Sequence, residues 1–80
     1  MTAALTLYSR QGCHLCEAMH SAVLAACDGR DVDIHVVDVD ASPDLARRYG
    51  LRVPVLVGVD GELCHGRLDD DALEDYLGGF

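Results

Sequence analysis

The sequence predicts an α/β fold of order β-α-β-α-β-β-α, a four-stranded mixed sheet with three flanking helices. Three observations lead there. Short apolar runs rich in strand formers (ALTLY, VDIHVVDVD, VPVLV) alternate with stretches of helical period, so both kinds of element share one chain. A helical stretch separates the first two runs, which demands a crossover and hence parallel, right-handed pairing. Asp60-Gly61 follows the third run and signals a hairpin, so the last two strands are antiparallel.

The elements follow in order. Residues 4–8 are largely apolar, as suits a central strand. Leu15, Met19, Ala22, Val23 and Ala26 fall on one face of a helix, with Leu15 expected to anchor it in the core. "CDGRD" ends that helix, and Gly29 fits the left-handed residue just past its cap. Residues 32–40 return to period two, placing Val32, Ile34 and Val36 on one face. Ser42 suits an N-cap, Pro43 the first helical position, Asp44 the positive end of the helix dipole, and Gly50 the stop. The hairpin is expected over 55–59 and 63–65, with Asp60-Gly61 as its turn. "DDDALEDYL" reads as a closing helix with an acidic start, Leu73 and Leu77 one turn apart.

Eighty residues make one domain, 1–80, without linker or repeat. The formal charge is −8, and all six cations are arginine. That balance excludes binding that works by neutralising phosphates, so no nucleic acid is expected, and it disfavours docking on an anionic membrane. No apolar run approaches the ~18 residues of a membrane span. Met1-Thr-Ala-Ala leads into the first strand without the basic and apolar regions of a signal peptide, so the expected compartment is the cytoplasm. Charge and size lean towards a monomer.

The chemistry sits in "YSRQGCHLCEAMH", where Cys13 and Cys16 lie three apart at a strand-to-helix junction. In a helix that spacing puts the Cα atoms about 5 Å apart, within disulfide range. The unpaired N–H groups of the first turn point at the Cys13 sulfur and favour its thiolate, with Arg10 three residues earlier adding positive charge. Exchange needs a thiolate that attacks and a second thiol that resolves: Cys13 the nucleophile, Cys16 the resolver. His14 either supports the thiolate when protonated or is an exposed helix-start residue. A metal site wants about four ligands, and Cys64 and His65 would have to complete it. On a strand those two side chains face opposite ways, so no metal is expected. A structural staple across three residues constrains the unfolded chain very little. Cys27 reads as a small buried residue and Cys64 as a core strand residue. His20 and His35 read as surface, Tyr49 and Tyr76 as helix-to-sheet packing, and Arg47 and Arg48 as a solvated face. Arg52 is close enough to Pro54 to meet a substrate.

The strand-"YSRQGCHLC"-helix unit, "DVDASPDLARRYGLRVPVL", the Asp-Gly hairpin and the short last helix together resemble a small glutaredoxin-like protein of the thioredoxin superfamily. The resemblance covers essentially the whole chain. It implies a thioredoxin-like fold and a thiol–disulfide oxidoreductase. It also implies a cis peptide before Pro54, opposite the cysteines, with the N–H and C=O of Val53 exposed to pair with an extended substrate backbone. By the same resemblance Arg10 faces a carboxylate of glutathione, and Val53, Pro54, Gly66 and Asp69 border the substrate; Gly12, His14 and Arg52 are further candidate substrate-binding residues by their place in the sequence. Two positions depart from the family pattern. His14-Leu15 replaces a proline and an aromatic, and Arg67 stands where a second glycine would follow Gly66. The implied partners are a disulfide-containing protein or a low-molecular-weight thiol, with a reductase or thioredoxin as electron donor. Glutathione is a candidate co-substrate, and no tightly bound cofactor is expected. The alternatives on this fold are a module delivering an iron–sulfur cluster or metal with glutathione, and a non-catalytic interaction domain.

Overall fold

Strand β1 (Ala3–Ser9) organises the computed structural model, which describes residues 2–79. It alternates strictly at first: Ala3, Leu5 and Leu7 are buried while Ala4 is exposed and Thr6 half-buried. On its two sides lie β2 (Val32–Asp38), parallel to it, and β3 (Val55–Gly58), antiparallel. Strand β4 (Gly61–His65) pairs antiparallel with β3 and completes the order β2-β1-β3-β4. Helices α1 (His14–Ala26), α2 (Pro43–Tyr49) and α3 (Asp70–Leu77) fill the remaining places of the expected order.

One core cluster joins Ala3, Leu5 and Leu7 of β1, Met19 and Val23 of α1, Cys27 beyond it, Leu56 of β3, and Leu73 and Leu77 of α3. Helices α1 and α3 therefore cover the same face of the sheet. Fully burying each leucine contributes about 1.5–3 kcal/mol relative to leaving it in water. The other face carries α2, where Tyr49 stacks on Tyr8 of β1 with ring centroids 4.1 Å apart.

Tyr76 of α3 closes a gap between β1 and β3. Their pairing runs from Tyr8↔Val55 to Thr6↔Val57, and Ala4 and Val59 stand two positions further along that register. There the Tyr76 hydroxyl donates to the Ala4 carbonyl at 2.7 Å and accepts from the Val59 N–H at 3.1 Å. Gly58 makes room for the ring: a Cβ there would lie 2.6 Å from Tyr76 Cε1.

Several expectations are corrected in detail. Leu15 is 52% exposed, not buried. The buried stripe of α1 begins one residue later, at Cys16, and continues through Met19 and Val23, because helical side chains lean back towards the preceding turn. Val36 is also half exposed: β2 is an edge strand, and the core cluster reaches only Val32 and Ile34 on it. Strand β2 ends at Asp38 and the chain turns through a 3₁₀ segment, Val39–Ala41, which buries Val39. Ser42 caps α2 without a side-chain hydrogen bond. Cys27 is the C-cap of α1, so Gly29 with its φ of 76° follows one position later than expected. Gly58 pairs with Gly61, which makes Val59-Asp60 the two-residue turn. A bulge between Leu56 and Val57 then shifts the register, so β4 runs longer than 63–65. Among the described residues no helix is long and apolar enough to cross a membrane.

Candidate active site

The sheet register brings three loops to one end. Tyr8 pairs with Val55, and Val55 with His65, so the segment after β1, the segment before β3 and the segment after β4 converge there. Gly12 turns the chain after β1 with a φ of 73°, a conformation side-chain-bearing residues rarely adopt. It delivers Cys13 in an extended conformation as the N-cap of α1.

Cys13 and Cys16 are joined as a disulfide, with Cα atoms 5.2 Å apart. The Cys16 N–H donates to the Cys13 sulfur at 3.1 Å, as the first turn of a helix predicts. Cys13 is half-buried, whereas Cys16 is 1% exposed. An incoming group therefore meets Cys13 and not Cys16. The His14 side chain is 99% exposed, with Nδ1 4.0 Å from a Glu17 oxygen, too far for a hydrogen bond.

The Val53-Pro54 peptide is cis, as the resemblance implied. Pro54 is buried, and its carbonyl accepts from the Gly66 N–H at 2.8 Å, tying the second loop to the third. One expectation fails here. The Val53 N–H donates to the Tyr49 carbonyl at 2.9 Å, closing the end of α2, and is not available to a substrate backbone. The carbonyl of Val53 receives no donor among the described residues.

Arg10 also departs from expectation. Its Nε and Nη2 hold the two oxygens of Asp40, each at 3.0 Å, and Nη1 donates to the Gly50 carbonyl at 2.9 Å. This fork holds the Asp40 carboxyl below its ordinary range and answers the guanidinium charge, which is thereby committed to the α2 side and not to the sulfur. Arg52 is held likewise: its Nη2 donates to Glu62 Oε2 at 2.7 Å, and His65 Nδ1 lies 3.2 Å from the same oxygen. The hydrogen bond from Arg52 is the main reason that the Glu62 carboxyl is held low, with His65 contributing.

Asp69 caps α3, its Oδ1 accepting from the Ala72 N–H at 3.1 Å, and Asp70 and Asp71 occupy the first turn. Gly66 has a φ of 77°, which lets the chain leave β4 while its N–H stays on Pro54. Cys27 is buried and Cys64 half-buried, and burial pushes both thiols up. Among the described residues, no three His, Cys, Asp or Glu side chains are grouped to hold a metal ion.

The structure thus brings together Gly12, Cys13, Cys16, Val53, Pro54 and Gly66. Arg10, Arg52 and Asp69 lie on the same loops, but their polar groups serve the protein itself. Sequence reasoning missed two contributors. Tyr49 takes the Val53 N–H, and Glu62 fixes Arg52. Leu15 was legible as apolar, and its position between the cysteines was the signal that it belongs to the site.

Residues 4–78 match the family described as glutaredoxin-like domain (DUF836). A protein from Nitrosomonas europaea, solved by NMR in solution, is 37% identical and superposes with a TM-score of 0.84, over 95% of this chain and 92% of that one. A crystal structure of a protein from X. campestris is 34% identical with a TM-score of 0.71, covering 95% and 97%. A mutant thioredoxin from Halobacterium salinarum is 28% identical with a TM-score of 0.67, covering 98% and 74%. No curated protein matches significantly. The architecture is the thioredoxin-like fold, and with almost its full length matched the chain belongs to the glutaredoxin-like domain family.

Proposed function

We propose that this protein is a dithiol–disulfide oxidoreductase in which Cys13 attacks and Cys16 resolves. The observation that carries the reading is the asymmetry of the pair. Cys13 is open to an incoming sulfur and its own sulfur accepts the Cys16 N–H, while Cys16 waits buried within bonding range.

In the reduced protein the Cys13 thiolate attacks a target disulfide. One new S–S bond joins Cys13 to the target, and the other target sulfur leaves as a thiolate and takes up a proton. Cys16, deprotonated, then attacks the Cys13 sulfur. The second target sulfur leaves as a thiolate, and the protein is left with its internal disulfide. Two electrons have passed from the dithiol to the target. A dithiol protein, a reductase or a thioredoxin, restores the reduced state by the reverse exchange. The Cys16 N–H, donated to the Cys13 sulfur, stabilises each thiolate that forms there.

An equilibrium titration in glutathione buffers tests this, with thiols trapped and located by peptide mass. The reading requires Cys13 and Cys16 to pass together from dithiol to internal disulfide within roughly −200 to −300 mV. A pair that stays in one state across that range sinks it.

A further inference from the structure

Glutathione carries two carboxylates, and recognising them takes cations or unsatisfied N–H groups. On the loops beside Cys13 most of these are already engaged. Arg10 holds Asp40 and Gly50, Arg52 holds Glu62, and the Val53 N–H holds Tyr49. Asp69 takes the Ala72 N–H at the start of α3, and Asp70 and Asp71 add two negative charges. Arg67 is exposed and borders the groove, but only Leu68 separates it from those three aspartates. A net charge of −8 further disfavours a small anion.

What the site offers instead is apolar. A half-open groove of about 360 Å³ is lined by Leu15, Ala18, Met19 and Ala22 of α1 and by Gly66, Arg67 and Leu68 of the loop after β4. Two of its lining residues tie it to the redox pair: Leu15 lies between the two cysteines in sequence, and the Gly66 N–H is hydrogen-bonded to Pro54. Leu15 is 52% exposed with no packing role in the core cluster, an apolar surface two residues along the chain from Cys13.

We propose that the disulfide reduced at this site belongs to a polypeptide, one carrying a bulky apolar side chain next to the bridged cysteine, and not to glutathione. The proposal rests on the oxidoreductase reading above and names its substrate class. The apolar side chain fills the groove along α1 while the cysteine's sulfur meets Cys13. The unengaged Val53 carbonyl accepts one backbone N–H of the segment. The acidic surface favours segments of neutral or positive charge.

The test uses the reduced full-length chain and the rate at which its dithiol is consumed. Four disulfides are compared: neutral 2-hydroxyethyl disulfide, glutathione disulfide, and two otherwise identical neutral peptide disulfides with leucine or glycine beside the cysteine. The leucine peptide should outpace the glycine peptide by about tenfold, the scale of discrimination expected from one apolar pocket contact. It should also outpace glutathione disulfide. Ala18→Glu, at an exposed position in the groove wall, should bring the leucine-to-glycine ratio close to one. Equal rates for the two peptides, or a preference for glutathione disulfide, would overturn the proposal while leaving the enzyme reading standing. Inertness towards all four, the neutral disulfide included, would overturn both.

Discussion

Arg10 grips Asp40 with two parallel hydrogen bonds, both at 3.0 Å, across thirty residues of sequence. The residue that family resemblance assigns to a substrate carboxylate is thus satisfied by a carboxylate of its own chain. Its third contact, to the Gly50 carbonyl, ties the end of α2 to the loop before Cys13.

Arg10→Ala should therefore act on stability. The melting temperature should fall by a few degrees, and Asp40→Ala should give part of the same loss. A double-mutant cycle checks this: the two changes together should cost less than the sum of the singles. Strict additivity would show that the pair is not coupled.

Acid should weaken the same contacts. Asp40 and Glu62 are held below their ordinary values of 3.8 and 4.5. Each binds a proton more readily unfolded than folded. The stability they contribute is therefore complete above those ordinary values and drains away as pH falls through the lower, folded ones. Denaturant unfolding followed between pH 6 and pH 3 should show stability dropping below about pH 4.5, with a shallower fall in Glu62→Gln.

Gly58→Ala should destabilise by about 1–3 kcal/mol, because the added methyl meets the Tyr76 ring. Tyr76→Phe keeps the ring and removes only the hydroxyl that bridges Ala4 and Val59. It should cost about 1 kcal/mol, since water reaches the exposed groups left behind. Urea midpoints of the two variants rank them, and the order Gly58→Ala above Tyr76→Phe is the expected result.

The four cysteines should separate by reactivity in the reduced protein. Iodoacetamide at neutral pH should label Cys13 first, with the product located by peptide mass. Cys27 and Cys64 should lag well behind, because burial keeps their thiols protonated. Equal labelling of Cys13 and Cys64 would count against an activated Cys13.

The fold was readable because its signals are local. Alternation in β1, the proline and glycine that bracket α2, and the spacing of Leu73 and Leu77 each specify an element without reference to the others. Cys13 and Cys16 were readable for the same reason, since one helical turn sets their distance. Leu15 and Val36 were misplaced because burial depends on how far a neighbouring layer extends, and periodicity carries no such information. The commitments of Arg10 to Asp40 and of Val53 to Tyr49 were illegible because each is fixed by loops meeting in space. Residue type told which groups can bind a carboxylate, and only the structure told that they already do.

The Cys13 sulfur is also the acceptor that caps α1, through the Cys16 N–H at 3.1 Å. That amide proton consequently senses the electronic state of the reacting atom through a single hydrogen bond. A thiolate, a mixed disulfide and the internal disulfide draw on it with different strength, since an ionised acceptor makes the stronger bond. The backbone resonance of Cys16 in a ¹⁵N spectrum is accordingly a built-in spectator, able to follow every stage of turnover in the ¹⁵N-enriched protein with no mutation and no attached probe.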